Sequence, residues 1–326
     1  MTHRMSGLVA AVLAFVPAAA FAQAIDLTPY SGRILSDPEY LPLAGQVDGT
    51  SAYSHGWVNG NATNGAGGQS TFHVDTNTLD QFLAYGVTDD LSVHASIQYA
   101  PQNYRETDFG GGARTYSESS GFSDPTFGAT WRALDQNAFP ANFDIFGSYT
   151  PDWIDAHTAT AVQDGSVARG GDSGIVGAAL GIVTNSFSIR GAFDANFLGQ
   201  SSVLNLGNGD TLQTASHTNF DLSLQTQTRL TDLFSVNAGL NHTFASNANV
   251  ANVTTGAPRH SEPGDVTALQ LALNYNFVPD AFVISGTYEH DFYGNSSTLY
   301  PDPLFNTGTQ DKNGNILGVK LTYATP

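Results

Sequence analysis

Apolar and polar residues alternate one for one over segments of roughly ten residues, and the connections between segments are short and long in turn. From Leu91 to Tyr99, the residues Leu91, Val93, Ala95, Ile97 and Tyr99 share one face of an extended chain. Ser92, His94, Ser96 and Gln98 share the other. Successive side chains of a strand point to opposite sides, so such a segment is a strand with one wet face and one apolar face. Repeated along the chain with asymmetric connections, the pattern predicts an all-β fold. Specifically, it predicts a transmembrane antiparallel up-and-down β-barrel with short periplasmic turns and long extracellular loops.

The alternation predicts about 12 strands, an even number, as single-chain bacterial barrels have. They fall at 45–59, 70–86, 91–100, 121–133, 142–150, 173–184, 187–198, 217–229, 234–245, 265–277, 282–293 and 314–323. Long loops are expected at 59–68, 101–120, 151–172, 199–216, 246–264 and 294–313. Tyr85, Trp131, Phe187, Phe277, Phe282 and Tyr323 gather near the short turns, and Tyr99, Tyr149, Phe197, Phe220 and Phe244 near the long loops. Two bands of amphipathic rings match the two interfaces of a bilayer.

The first residues read as an export signal at 1–22: Arg4, an apolar run from Gly7 to Ala20, and the small-x-small site Ala20-Phe21-Ala22. Residues 23–44 contain Pro29, Pro38 and Pro42 and read as a periplasmic lead-in or a plug, ahead of a barrel domain at 45–326. No later stretch is apolar for the roughly 20 residues that a membrane helix needs. With no cysteine, disulfide scaffolds and cysteine metal sites are excluded. A net charge of −18 argues against a nucleic-acid partner. Acidic loops carrying Glu106, Asp108, Glu118, Asp152, Asp155, Asp164 and Asp172 predict that the outer mouth favours cations and neutral solutes over anions.

Three segments carry a family resemblance: Leu83-Ala84-Tyr85-Gly86-Val87-Thr88-Asp89-Asp90-Leu91-Ser92-Val93, Gly121-Phe122-Ser123-Asp124-Pro125-Thr126-Phe127-Gly128-Ala129, and Phe146-Gly147-Ser148-Tyr149-Thr150-Pro151-Asp152. Together they resemble the family named for the MetA pathway of phenol degradation, over residues 79–152 and beyond that by hairpin rhythm. The resemblance implies an outer-membrane barrel linked to uptake of aromatic or other hydrophobic compounds.

No segment forms an enzyme motif. Gly110-Gly111-Gly112 lacks the Lys-Ser/Thr pair of a phosphate loop. Asp311, Asn313 and Asn315 imitate alternate calcium ligands, but Ile316 stands where that loop needs glycine and Thr322 where it needs glutamate. His94 and Ser96 share a face with the spacing used by membrane-embedded hydrolases, although no lipase signature adjoins them. Adjacent His290 and Asp291 face opposite ways.

The alternation assigns His94, Asp124, Arg132, Asp144, Arg190, Asp194, Asp221, Arg229, Glu289, Asp291 and Lys320 to the lumen. A charge at mid-membrane on the lipid face would cost about 2–4 kcal/mol. Arginine cannot shed its charge, so Arg132, Arg190 and Arg229 are expected to pair with lumenal acids such as Asp124, Asp194 and Asp221. The expected function is a porin-like outer-membrane channel of a Gram-negative bacterium for passive uptake of small hydrophobic or aromatic solutes, without enzymatic activity or cofactor. Its partners would be outer-membrane lipid and the solute. A structural or adhesive barrel with ion-binding loops and a membrane-embedded hydrolase are the alternatives.

Overall fold

A computed structural model describes residues 34–109, 113–160, 163–278 and 281–325. The export signal, the lead-in up to residue 33 and the Gly110–Gly112 run lie outside the described residues.

The strands in chain order begin with β1 (Val47–Asn64), β2 (Gln69–Thr88), β3 (Leu91–Asp108), β4 (Arg114–Phe122) and β5 (Thr126–Leu134). Next come β6 (Asn142–Thr150), β7 (Ala156–His157), β8 (Ser173–Val183), β9 (Phe187–Leu198), β10 (Ser201–Leu204) and β11 (Thr211–Thr214). β12 (His217–Arg229), β13 (Phe234–Phe244), β14 (Ala248–Asn252), β15 (Pro258–Glu262) and β16 (Val266–Val278) follow. β17 (Phe282–Tyr293), β18 (Ser296–Leu299) and β19 (Thr307–Ala324) complete the sheet. They make a closed 12-strand antiparallel barrel, in which β4 and β5 share one stave and the shortest strands extend staves at the long-loop end. The seam is β1 against β19, paired from Asp48↔Ala324 to Asn64↔Thr307. Closure leaves no free backbone edge, which a bilayer requires because its core offers no water to hydrogen-bond.

The packing is inverted relative to a water-soluble protein. Leu271 and Leu273 are 52% and 55% exposed on the outer face, whereas Asn274 and Asn276 on the inner face are 2% and 1% exposed. Apart from Val283 and Ala100, the most deeply buried side chains are polar, among them Gln227, Asp144 and Ser285. Outward apolar rows suit lipid, and inward polar rows are held by hydrogen bonds across the interior.

Two expectations are corrected. The sheet continues into all six expected loops: β1 runs to Asn64, β3 and β4 occupy most of 101–120, β7 lies within 151–172, β10 and β11 within 199–216, β14 and β15 within 246–264, and β18 and the start of β19 within 294–313. Above the lipid, the outer face has no need of apolar residues, so alternation fades while backbone pairing persists. The expected strand 121–133 is broken at 123–125, where Pro125 has no N–H to donate and Gly121 adopts a φ of 116°.

Candidate functional site

At the short-turn end, residues 34–42 lie inside the barrel. Ile34, Leu35 and Leu41 are buried, as are Ser36, Asp37 and Glu39. Polar contacts to the inner wall hold the segment at each step. Gln227 donates to Ser36 Oγ at 2.8 Å, and Asn237 donates to its carbonyl at 2.8 Å. Arg229 reaches Asp37 at 3.4 Å. Asn142 donates to Glu39 Oε2 at 2.8 Å. Near the barrel entrance, Ala44 pairs with Gly86, and its N–H donates to Asp89 at 3.1 Å.

Glycine makes room for this course at two places. A Cβ on Gly181 would lie 2.0 Å from Glu39 Oε1, and one on Gly86 would lie 1.9 Å from the Leu43 carbonyl oxygen.

The centre of the cluster is Asp144 on β6, 1% exposed. Arg132 on β5 binds it bidentately, with Nε at 2.9 Å and Nη2 at 3.2 Å. Arg190 on β9 donates to the same carboxylate at 2.9 Å. Both guanidinium groups also face Glu39, at 3.4 and 3.5 Å, and donate to the lead-in carbonyls of Glu39 and Pro38. Two arginines thus meet two carboxylates, one from the wall and one from the lead-in. Burial is the dominant influence on Glu39 and pushes its pKa up to about 7, against the opposing pull of the arginines.

The expected arginine partners are therefore corrected. Arg132 and Arg190 pair with Asp144 and Glu39, and Arg229 with Asp37. Asp124, Asp194 and Asp221 are engaged elsewhere. Asp124 accepts the backbone N–H groups of Trp153 and Ile154 at 2.8 Å each and so pins the start of the 151–172 loop. Asp194 and Asp221 stand directly opposite each other on β9 and β12, and Thr243 donates to Asp221. Asp37 and Glu39 were missed because their segment has no periodicity to assign them a face.

The other assigned residues are spread along the interior. His94 packs its ring against Phe82 at 5.3 Å, and among the described residues no hydrogen bond links it to Ser96. Glu289 accepts from Gln270, and Asp291 accepts from the Tyr293 hydroxyl at 3.0 Å. Lys320 lies opposite Ala52 and Ser285 and makes no ion pair among the described residues. Asp311, Asn313 and Asn315 lie within β19. Among the described residues no group of three or more His, Cys, Asp or Glu side chains is placed to hold a metal.

A closed barrel with apolar staves outside and a polar, charged interior defines the class: a transmembrane β-barrel of the bacterial outer-membrane type. The structure is similar to the crystal structure of the COG4313 outer membrane channel from Pseudomonas putida F1, with a TM-score of 0.58 at 15% identity over 89% of this chain and 98% of that one. Lower similarity is found to the transport unit of the autotransporter AIDA-I from Escherichia coli, at TM-score 0.49, 12% identity and 88% and 92% coverage. A deltaS2S3 mutant of the TodX monoaromatic hydrocarbon channel matches at TM-score 0.45, 9% identity and 92% and 96% coverage. No family model and no curated protein matches the sequence.

Proposed function

We propose that the chain is an outer-membrane channel for the passive passage of small hydrophobic or aromatic solutes, with residues 34–44 as its plug at the periplasmic end. The observation that carries this reading is the attachment of the segment. It crosses the interior on side-chain hydrogen bonds and ion pairs to the wall, and it adds no strand to the barrel. Contacts of that kind can be exchanged for water without breaking the sheet. The resemblance to the phenol-degradation family supports the solute class, and the neighbouring channel structures are consistent with conduction. The signal at 1–22 would direct export to the outer membrane of a Gram-negative bacterium.

Liposome swelling with graded solutes, on the native protein and on Arg190→Ala, tests the reading. The native barrel should admit small aromatic alcohols and exclude larger sugars, and the variant should widen that limit. Absence of flux in both proteins would favour a structural or adhesive barrel.

A further inference from the structure

The chain has two lysines, Lys312 and Lys320, both on β19. At the long-loop end, Lys312 belongs to a row that crosses five neighbouring staves. The Lys312 ammonium lies 3.7 Å from the centre of the Tyr293 ring on β17. On the other side stands Gly60 of β1, where a Cβ would come within 2.5 Å of the Phe72 ring and 3.4 Å of Lys312 Cβ. Phe72 of β2 is 8% exposed, and the Arg105 guanidinium of β3 lies over its ring at 5.2 Å. The order along the wall is ring, cation, glycine, ring, cation.

Neither cation forms an ion pair among the described residues, in contrast to the three arginines of the plug end. Asp291, two residues before Tyr293 on β17, accepts the Tyr293 hydroxyl at 3.0 Å. The loop acids Glu106 and Asp108 are both taken by Arg114, at 2.6 and 3.2 Å. A cavity of about 760 Å³, within the range that binds small molecules, opens beside Arg105 and is also lined by Phe109 and Tyr116.

We propose that this row is a binding site for aromatic carboxylates. A guanidinium presents a fork that matches a carboxylate, an ammonium adds a point charge, and the exposed Phe109 and Tyr116 rings beside Arg105 accept a planar aryl group. A neutral aromatic would use only the rings and an aliphatic acid only the cations, so an aryl carboxylate is the class that uses both. The assignment deepens the channel reading and rests on it for its biological meaning, whereas binding itself does not require conduction.

Calorimetry on the purified barrel with benzoate, benzyl alcohol and acetate tests it. Benzoate should bind at least tenfold more tightly than either of the others. Arg105→Gln and Lys312→Gln should each weaken benzoate about tenfold and leave benzyl alcohol unchanged, with heat-modifiability on gels verifying closure. Equal binding of benzoate and benzyl alcohol, or undiminished benzoate binding in the double variant, would overturn the site. Should a variant not fold, mass-spectrometric acylation of the native chain decides. Benzoate should slow modification of Lys312 and not of Lys320, and equal rates with and without benzoate would refute the proposal. Benzoate binding without solute flux in liposomes would leave the site standing and refute the channel. Flux of neutral aromatics without benzoate binding would do the reverse.

Discussion

Replacing Asp144 by Asn removes the one carboxylate on which Arg132 and Arg190 converge. Its side chain is 2% exposed, against 11% and 16% for the arginines, so water cannot take over its role. The amide preserves shape but leaves two guanidinium groups facing Glu39 alone, whose oxygens stand 3.4 and 3.5 Å away. Removing one member of a buried pair costs about 3–5 kcal/mol, because the remaining charge stays desolvated. The lower end applies here, since Glu39 remains and Arg132 still donates to the Glu39 carbonyl at 2.9 Å. A loss of about 3 kcal/mol is roughly a hundredfold in equilibrium. Shared between barrel and plug, it should lower the temperature at which the barrel loses heat-modifiability and raise the fraction of time spent in a wider conducting state. Planar-bilayer recordings and gel shifts on the same preparation read both, with Asp144→Glu as the charge-preserving control. An Asp144→Asn barrel with native conductance and an unshifted transition would refute the argument that this cluster ties the lead-in to the wall.

The lead-in should also respond to pH. Glu39 has its pKa raised from 4.5 to about 7, so its protonation favours the docked state. That contribution is complete below about pH 4.5 and is lost as pH rises through about 7, up to about 3 kcal/mol in all. Conductance should therefore increase from pH 5 to pH 8, and Glu39→Gln should flatten the dependence. Gly86→Ala would place a methyl group against the Leu43 carbonyl and displace the lead-in's point of entry, raising conductance at a cost of about 1–3 kcal/mol, read from the same gel shift. Leu271→Arg puts a charge on the lipid face and should cost about 2–4 kcal/mol in a urea titration of refolded barrels, whereas Gln270→Arg on the inner face should cost far less.

The fold was legible because a bilayer enforces alternation on every stave. Leu269, Leu271 and Leu273 against Gln270 and Asn274 admit one register only, since slipping by one residue would turn the polar row into lipid. Beyond the bilayer that constraint lapses. Asn61 and Thr63 read as loop although both pair with β2 and β19. Arg132, Arg190, Arg229 and Asp144, which form one cluster with Asp37 and Glu39 in the structure, were legible as candidates because each falls on the polar face of its strand. Their pairing was not. Asp37 and Glu39 lie in an aperiodic segment, and their contacts span 93 to 192 residues of sequence. Nothing local records such a contact. Arg105 and Lys312 are hidden because their segments lack the apolar–polar alternation that marks a stave in lipid.

The seam between β1 and β19 bears on how the molecule is made. The two strands that close the barrel lie at opposite ends of the domain, so every shorter nascent chain carries two unpaired edges. Such edges pair readily with other chains, and the hazard ends only when the last strand arrives. Docking of residues 34–44 is bound to the same moment, because their contacts come from β5, β6, β9, β12 and β13, and Gln46 and Val47 beside them bind Thr325. Assembly is thus all-or-none from both ends. A chain lacking β19 would not be a smaller barrel but an open sheet seeking a neighbour to complete it.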